Sequence, residues 1–412
     1  MKEKFLVINA GSSSLKFSLY EMPEKQELVN GLIEKIGNDD SCYTLKYNGK
    51  KEENQKLIKN HVEAVQTMLD ELVGKHFVES INEIKGVGHR VLHGGEFYSD
   101  SVLIDDEVLN NIKALTKLGP LHHPGEIAGI ESMRELLPGV PEVAVFDTAF
   151  HQTMPEENYM YPVPYEWYSE YGVRKYGFHG TSHKYITETM KEELGKEDPN
   201  MIICHIGSGA SISCIKDGKC YDTTMGLTPL DGLMMCTRSG SIDPSILEYV
   251  CKESGKDISE ITTLLNKKSG FLGITGFSDN RDVQKAAENG DKKSELALKM
   301  IKRSILNYIA QYYFELRGDV DAIVFTAGIG ENDIGLREWL VNAMSGIMNI
   351  TLDKEANDNI SRYKSNQKGT ITTQDSKVKV MVVPTDEESM ILKDTIRISG
   401  EVNKDKNKIL EK

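Results

Sequence analysis

Two short stretches of this chain share one plan, and that plan limits the fold more than any other feature. Residues 4–20, KFLVINAGSSSLKFSLY, and residues 201–216, MIICHIGSGASISCIK, each run along an apolar strand into a Gly/Ser turn. Each then leaves along an alternating strand. They fall in the two halves of a 412-residue chain, longer than one core usually serves. Two related domains are therefore expected. The first covers 1–148 and the second 149–385. KVMVVPTDEESMILKDT reads as an element that returns 386–412 to the first domain.

The rest of the chain repeats short apolar runs that end in Gly, Asp or Asn: FLVINAG, EVAVFDTAF, MIICHIGSG, AIVFTAGIG. Such runs read as buried strands. Helix-like segments at 61–75, 181–196 and 294–316 lie between them. The alternation predicts an α/β fold, with ligands at the carboxyl ends of strands. A net charge of −14 argues against a large nucleic-acid footprint or an anionic membrane surface. No run of 18 apolar residues suggests a membrane span, and no secretory signal is read ahead of the first strand. The six cysteines form no C-x-x-C pair and read as reduced thiols, so a cytoplasmic location is expected.

HIGSGASISC could be a slack linker, a tight hairpin or a loop that grips phosphate. Its partner at 4–20 argues against the linker. Neither hairpin fits the common fingerprints: there is no G-x-x-x-x-G-K-[ST], and GSGASI and GIGEND lack the third glycine of G-x-G-x-x-G. The physics of anion binding remains available. Small residues let backbone N–H groups approach an anion, and Ser12, Ser14 and Lys16 add donors and a charge. In TAGIGEN (326–332) a strand meets a double-glycine turn and then a helix, whose N-terminus suits phosphate or a nucleoside.

Ten arginines stand against 39 lysines, which makes the arginines worth locating. Arg90, Arg238 and Arg281 all lie in turn-rich sequence, where each either braces a loop or grips an anion. The only acids close in sequence to Arg90 and Arg238 are Glu96 and Asp243. HGTSH places His179 and His183 four apart. Thr181 or Ser182 reads as the N-cap, however, so His179 precedes the helix and a zinc pair is not expected. His89, His93, His123 and His151 read as structural. Asp147 and Glu387 end strand-like runs, where carboxylates could help hold a metal.

Taken in order, VINAGSSSLKFSLY, GHRVLHGGE, PLHHP, VFDTAFHQTMP, YGFHGTSH, DTTMGLTPLDGLMMCTRSGSIDP, FTAGIGEN and PTDEE cover almost the whole chain. Together they resemble the acetate kinase family, within the acetate and sugar kinase, heat-shock chaperone and actin superfamily. The resemblance implies two duplicated ribonuclease H-like (actin-like ATPase) domains, an active site in the cleft between them, and a homodimer. It implies reversible phosphoryl transfer between ATP and acetate, giving acetyl phosphate and ADP, with Mg²⁺ required and Mn²⁺ able to substitute. The alternatives are a propionate or other short-chain acyl kinase, and a non-acyl ATPase of the same superfamily.

By motif, the resemblance assigns Asn9 and Glu387 to Mg²⁺, and Ser12, Ser14 and Lys16 to the first phosphate loop. It assigns His205, Ile206, Gly207, Ser208 and Gly209 to the second loop. Asp279, Asn280 and Arg281, with Gly328, Ile329, Gly330, Glu331 and Asn332, fall on the nucleoside side. Arg90 matches the carboxylate-binding arginine, and Asp147 the essential acid. His179 and Arg238 match the groups that stabilise the transferring phosphoryl, and His122 a further active-site histidine. Leu92, Leu121, Phe178 and Pro229 match a small apolar pocket for the acyl methyl, with Leu92 where many members carry Val. Three motifs depart from the family pattern. Ser208 replaces an Asn; Cys236 and Ser241 replace a Gly and an Asp; Asp386 replaces an Asn. Ser241 is expected to remove a negative charge near Arg238, and Asp386 to add one near the metal.

Overall fold

Phe5, Leu6, Val7 and Ile8 are all buried, so the first strand, β1 (Lys4–Ala10), has no solvent face. A strand covered on both sides belongs inside a sheet. It pairs antiparallel with β2 (Ser14–Glu21) and parallel with β6 (Ile84–Val91). Five more strands complete the sheet: β3 (Gln26–Glu34), β4 (Cys42–Tyr47), β5 (Lys50–Gln55), β7 (Val102–Leu103) and β8 (Glu142–Phe146). The order is β5-β4-β3-β2-β1-β6-β8-β7.

The computed structural model describes residues 2–364 and 367–410, those from 403 on by backbone alone. Contacts divide the chain into two units, residues 1–150 with 386–412, and residues 151–385. In the first unit, the two faces of β1 serve two cores. Leu6 and Ile8 share one with Val65, Met68 and Leu72 of the helix His61–Gly74. Phe5 and Val7 share the other with Ile391 and Leu392 of the helix Glu387–Leu410. That last helix lies close on β6 because Gly88 has no side chain. A Cβ there would sit 2.1 Å from Thr395 Oγ1.

The second unit holds a six-stranded sheet built from β9 (Met201–Ile206), β10 (Ala210–Lys216), β11 (Lys219–Thr223), β12 (Ala322–Thr326), β13 (Gly369–Thr370) and β14 (Lys379–Val382). Its order is β11-β10-β9-β12-β14-β13. Set beside β3-β2-β1-β6-β8, the run β11-β10-β9-β12-β14 repeats one plan: three antiparallel strands, then two parallel ones. The two hairpins of the sequence are the first two strands of each copy.

The expected helices form with shifted ends, and the caps explain the shifts. Asn60 accepts a hydrogen bond from Glu63 N at 2.9 Å and opens the helix His61–Gly74. Asp291 accepts one from Ser294 N at 2.8 Å, so the long helix begins earlier than expected, at Lys292, and runs to Glu315. The helix expected at 181–196 spans Gly180–Leu194, and neither Thr181 nor Ser182 is its N-cap. His179 holds that place with φ 56°, a left-handed turn that starts the helix one residue sooner. The alternating strand after the second turn also differs from expectation. All but the last residue of β10 are buried, so its serines face protein rather than water.

Gly125 lies in the helix His123–Leu136, and a Cβ on it would come within 2.3 Å of Gly11 O and 2.7 Å of Ser12 N. Both are backbone atoms of the first turn and cannot rotate away. Gly125→Ala is expected to cost about 1–3 kcal/mol, read as a fall in the urea-unfolding midpoint.

Candidate active site

Parallel neighbours end at the same edge of a sheet, and in the first unit this places Arg90 beside Asp147. Arg90 is near the end of β6, and Asp147 follows β8 directly. The guanidinium donates through Nε to Asp147 Oδ1 at 3.2 Å and through Nη2 to Oδ2 at 2.5 Å. Asp147 is 1% exposed. The Asp147 carboxylate above all, with Glu387 helping, holds Arg90 protonated against the cost of burial. The sequence offered Glu96 as the acid near Arg90, whereas the structure supplies one 57 residues away. Strand pairing, rather than proximity along the chain, selects the partner. Arg90 Nη1 has no protein partner among the described residues.

Glu126 lies behind this pair. It accepts from Leu92 N at 3.1 Å and is 4% exposed. Burial pushes its carboxyl up to about 8; the charge of Arg90 opposes that rise without cancelling it. Leu92 is buried, while Leu121 and His122 are exposed just ahead of the helix His123–Leu136. His123 and His151 make the structural contacts expected of them, to Ile112 O at 3.0 Å and Phe178 O at 2.9 Å.

The first turn closes with Gly11 N donating to Ser14 O at 2.8 Å, and it leaves Ser12 exposed and Ser14 half-buried. Lys16 departs from its expected use as spare positive charge. Its ammonium pairs with Glu388, which also accepts from Ser18 Oγ at 2.7 Å and Tyr20 OH at 3.2 Å. Asn9 and Glu387 are half-buried, and no hydrogen bond from a described residue reaches either side chain. Among the described residues no cluster of three or more His, Cys, Asp or Glu is arranged to hold a metal ion. Mg²⁺ needs no such cluster where phosphates and water complete its shell, and two oxygen-bearing side chains fit that demand. Asp386 has a different task from the one expected. It caps the last helix, accepting from Ser389 N at 2.9 Å and Ser389 Oγ at 2.5 Å.

In the second unit, a cavity of about 510 Å³ opens beside the second turn. Gly207, Ser208, Asp279, Asn280, Arg281, Gly328, Ile329 and Asn332 line it, so three segments far apart in sequence meet there. His205, Ile206, Gly330 and Glu331 do not line it; they are buried behind it. The double glycine of TAGIGEN is not a turn ahead of a helix, because the helix Ala327–Asn332 follows β12 without a break. Asp279 caps the helix Asn280–Glu288 through Arg281 N at 2.8 Å. The Arg281 side chain, hydrogen-bonded to Asp279, pulls that carboxyl down to about 2.

Cys236, where the sequence departs from the family pattern, also lines the cavity, as do Ser278, Gln284, Asp333 and Tyr363, which sequence reasoning missed. Asp333 accepts from Asn280 at 3.0 Å and Gln284 at 2.6 Å while capping the helix Ile334–Met348. The aspartate of NDIGLREW, just ahead of a helical pattern, was its available signal. Arg337, fully buried, donates to the carbonyls of Gly330 and Glu331 at 3.0 and 2.8 Å and fixes the helix Ala327–Asn332 from behind.

Arg238 and His179 converge on the second turn. A Cβ built on Gly209 would lie 3.4 Å from both Arg238 Nη1 and His179 Nε2. Arg238 donates to Pro229 O at 3.2 Å and touches Met235 Sδ at 3.7 Å. No carboxylate among the described residues pairs with it, and burial pulls its pKa down. Phe178 is fully buried next to His179, and Pro229 is half-buried. Ser241 has Asp231 rather than Arg238 as its charged partner, donating to Asp231 Oδ1 at 2.5 Å and accepting from Gly232 N at 3.0 Å. An aspartate at 241 would set two carboxylates against each other.

Two copies of one strand plan, each with a glycine turn after its first strand, form the duplicated actin-like ATPase fold, and the family to which the comparisons assign the chain is one of phosphotransferases that use ATP and ADP as substrates. The family model described as the acetokinase family matches residues 4–393, and the chain belongs to that family. The acetate kinase of Exiguobacterium sibiricum is 48% identical over 401 residues, 96% of this chain and 98% of that relative. The acetate kinase of Bacillus subtilis is 48% identical over 399 residues, 96% and 99% of the two chains. Among solved structures, Porphyromonas gingivalis acetate kinase matches with a TM-score of 0.91 at 42% identity, covering 96% of this chain and 99% of that one. A propionate kinase from Francisella tularensis matches with a TM-score of 0.89 at 40% identity, covering 96% and 100%.

Glu126 gives a test of the electrostatics around Arg90. Its carboxyl is raised from 4.5 to about 8 in the folded chain. Between those values the folded state keeps a proton that the unfolded chain releases, so stability falls as pH rises and levels off above 8. Glu126→Gln removes that dependence. Its melting temperature is expected to gain on wild type from pH 5 to 8, with no further gain beyond.

Proposed function

We propose that the protein catalyses reversible, Mg²⁺-dependent phosphoryl transfer between ATP and acetate, forming acetyl phosphate and ADP. The observation that carries the reading is the convergence of Arg238, without a carboxylate partner among the described residues, and His179 Nε2 at Gly209, beside a cavity large enough for a nucleoside. A partly buried cation without a counter-charge is costly, and an anionic ligand removes that cost.

Acetate is already an anionic nucleophile, so no strong base is needed. The difficulty is to bring two anions together and to stabilise charge spread over the transferring group. In the first unit, Arg90 takes the acetate carboxylate on Nη1, its other nitrogens being held by Asp147. Leu92 and Leu121 limit the acyl group there. His122 stands with the acetate-side residues, and Ser12 and Ser14 contribute donors from the first turn. In the second unit, the amides of 207–209 and the segments 279–281 and 328–332 bind ATP, while Arg238 and His179 donate to the phosphoryl oxygens. Asn9 and Glu387 hold Mg²⁺, directly or through water; when bound, the ion neutralises phosphate charge. Mn²⁺ would serve the same oxygen donors. We propose a homodimer in the cytoplasm; six free cysteines support a reducing compartment. Among the described residues no helix is long and apolar enough to cross a membrane.

The reading is tested by trapping acyl phosphate with hydroxylamine after incubation with ATP, Mg²⁺ and acetate. Phosphate release without hydroxamate would instead identify an ATPase. Arg238→Ala is expected to lower kcat about 10²–10³-fold; near-wild-type turnover would sink its assigned role. Gly209→Ala meets only side-chain tips, so it should fold normally, yet its methyl fills the point where the two donors converge. Its kcat is expected to fall about 10²-fold with the melting temperature nearly unchanged. Propionate, the substrate class suggested by one solved relative, should react with a kcat/KM lower by a factor corresponding to about 1–3 kcal/mol. A higher value than for acetate would overturn the pocket reading.

A further inference from the structure

Ser211 on β10 is shared by two histidines. Its Oγ lies 2.9 Å from His179 Nδ1 and 2.8 Å from His183 Nε2. Ser211 and His183 are completely buried. The hydroxyl has one proton, so in a linear relay it donates to one ring and accepts from the other.

The direction is decided on the far side of His183. His183 Nδ1 is buried and has no hydrogen-bond partner among the described residues. A buried N–H without an acceptor is rarer and costlier than a bare ring nitrogen without a donor. The proton of His183 therefore belongs on Nε2, where it donates to Ser211. Burial holds this ring neutral, its pKa pushed well below the ordinary value, and the neighbouring His151 and His205 add to the effect. Ser211 Oγ has no hydrogen-bond partner besides the two rings among the described residues, so its own proton turns toward His179 Nδ1 rather than being left without an acceptor. A ring that accepts on Nδ1 carries its proton on Nε2, the atom that stands beside Arg238 at Gly209.

We propose that His183 and Ser211 set the tautomer of His179, so that its Nε2–H is ready to donate to the transferring phosphoryl before substrate arrives. The proposal rests on the role given to His179 above. His183 and Ser211 are positioning residues, since neither needs to touch substrate. This also explains the four-residue spacing in HGTSH. His179 precedes the helix Gly180–Leu194 and His183 lies one turn inside it, so both rings reach one hydroxyl from the neighbouring sheet.

The test uses the full-length enzyme labelled with ¹⁵N-histidine, with His179 and His183 assigned through His179→Asn and His183→Asn. Wild type is expected to show protonated, pyrrole-like Nε2 in both rings and bare, pyridine-like Nδ1. A protonated Nδ1 on either ring overturns the relay. Ser211→Ala is expected to move the His179 resonances toward a tautomer mixture and to lower kcat about tenfold with KM values little changed. Ser211→Thr, which keeps the hydroxyl, should restore both. If Ser211→Ala does not fold, the wild-type resonances decide alone. They also decide independently of the reaction. A wild type with the relay tautomers but no hydroxamate would leave the relay standing and remove the acyl-kinase reading.

Discussion

The strand order fixes where chemistry can occur in this molecule. In each sheet the first strand turns back through glycines on one side and pairs with a parallel strand on the other. The edge that carries the glycine turn therefore also carries whatever follows the parallel strands. Arg90 and Asp147 reach that edge from β6 and β8, and the helix Ala327–Asn332 reaches it from β12. No residue between these elements has to be special for the groups to meet, because backbone pairing brings them together.

The two units use charge differently. Arg90 is bound to a buried aspartate, with two further carboxyl groups influencing it, so it offers a third nitrogen in a neutralised setting. Such a group suits a weak, exchangeable carboxylate ligand. Arg238 has carbonyl and thioether contacts but no carboxylate partner among the described residues, so its field remains available for a multiply charged group. In the proposed reaction, an acceptor that must leave after phosphorylation and a phosphoryl that must be held while charge moves make these two demands.

Much of this was legible in the sequence. The two hairpins announced the duplication, and Gly207 and Ser208 of the second turn, 279–281, and Gly328, Ile329 and Asn332 border one cavity. The sequence was silent where the partner lies on another strand or helix. Glu388 is 372 residues from Lys16, and only folding shows that the lysine is already paired. Asp386 read as extra charge, yet its oxygens are used by a helix start. The second strand of this hairpin read simply as alternating, and only the structure shows that two histidines cover Ser211 on it. Polarity patterns distinguish faces of a strand without saying whether water or protein lies against them.

The helix Glu387–Leu410 shares a core with Phe5, Val7, Val143 and Val145, yet it is made only after the whole of 151–385. On the ribosome, the first unit emerges with one face of its sheet bare, and it stays so while 151–385 are synthesised, on the order of tens of seconds. Synthesis thus sets a vulnerable interval. Chain termination anywhere before Ile391 leaves the opening strand's apolar face open to chaperones or to other nascent chains, even though every strand of that sheet is already present.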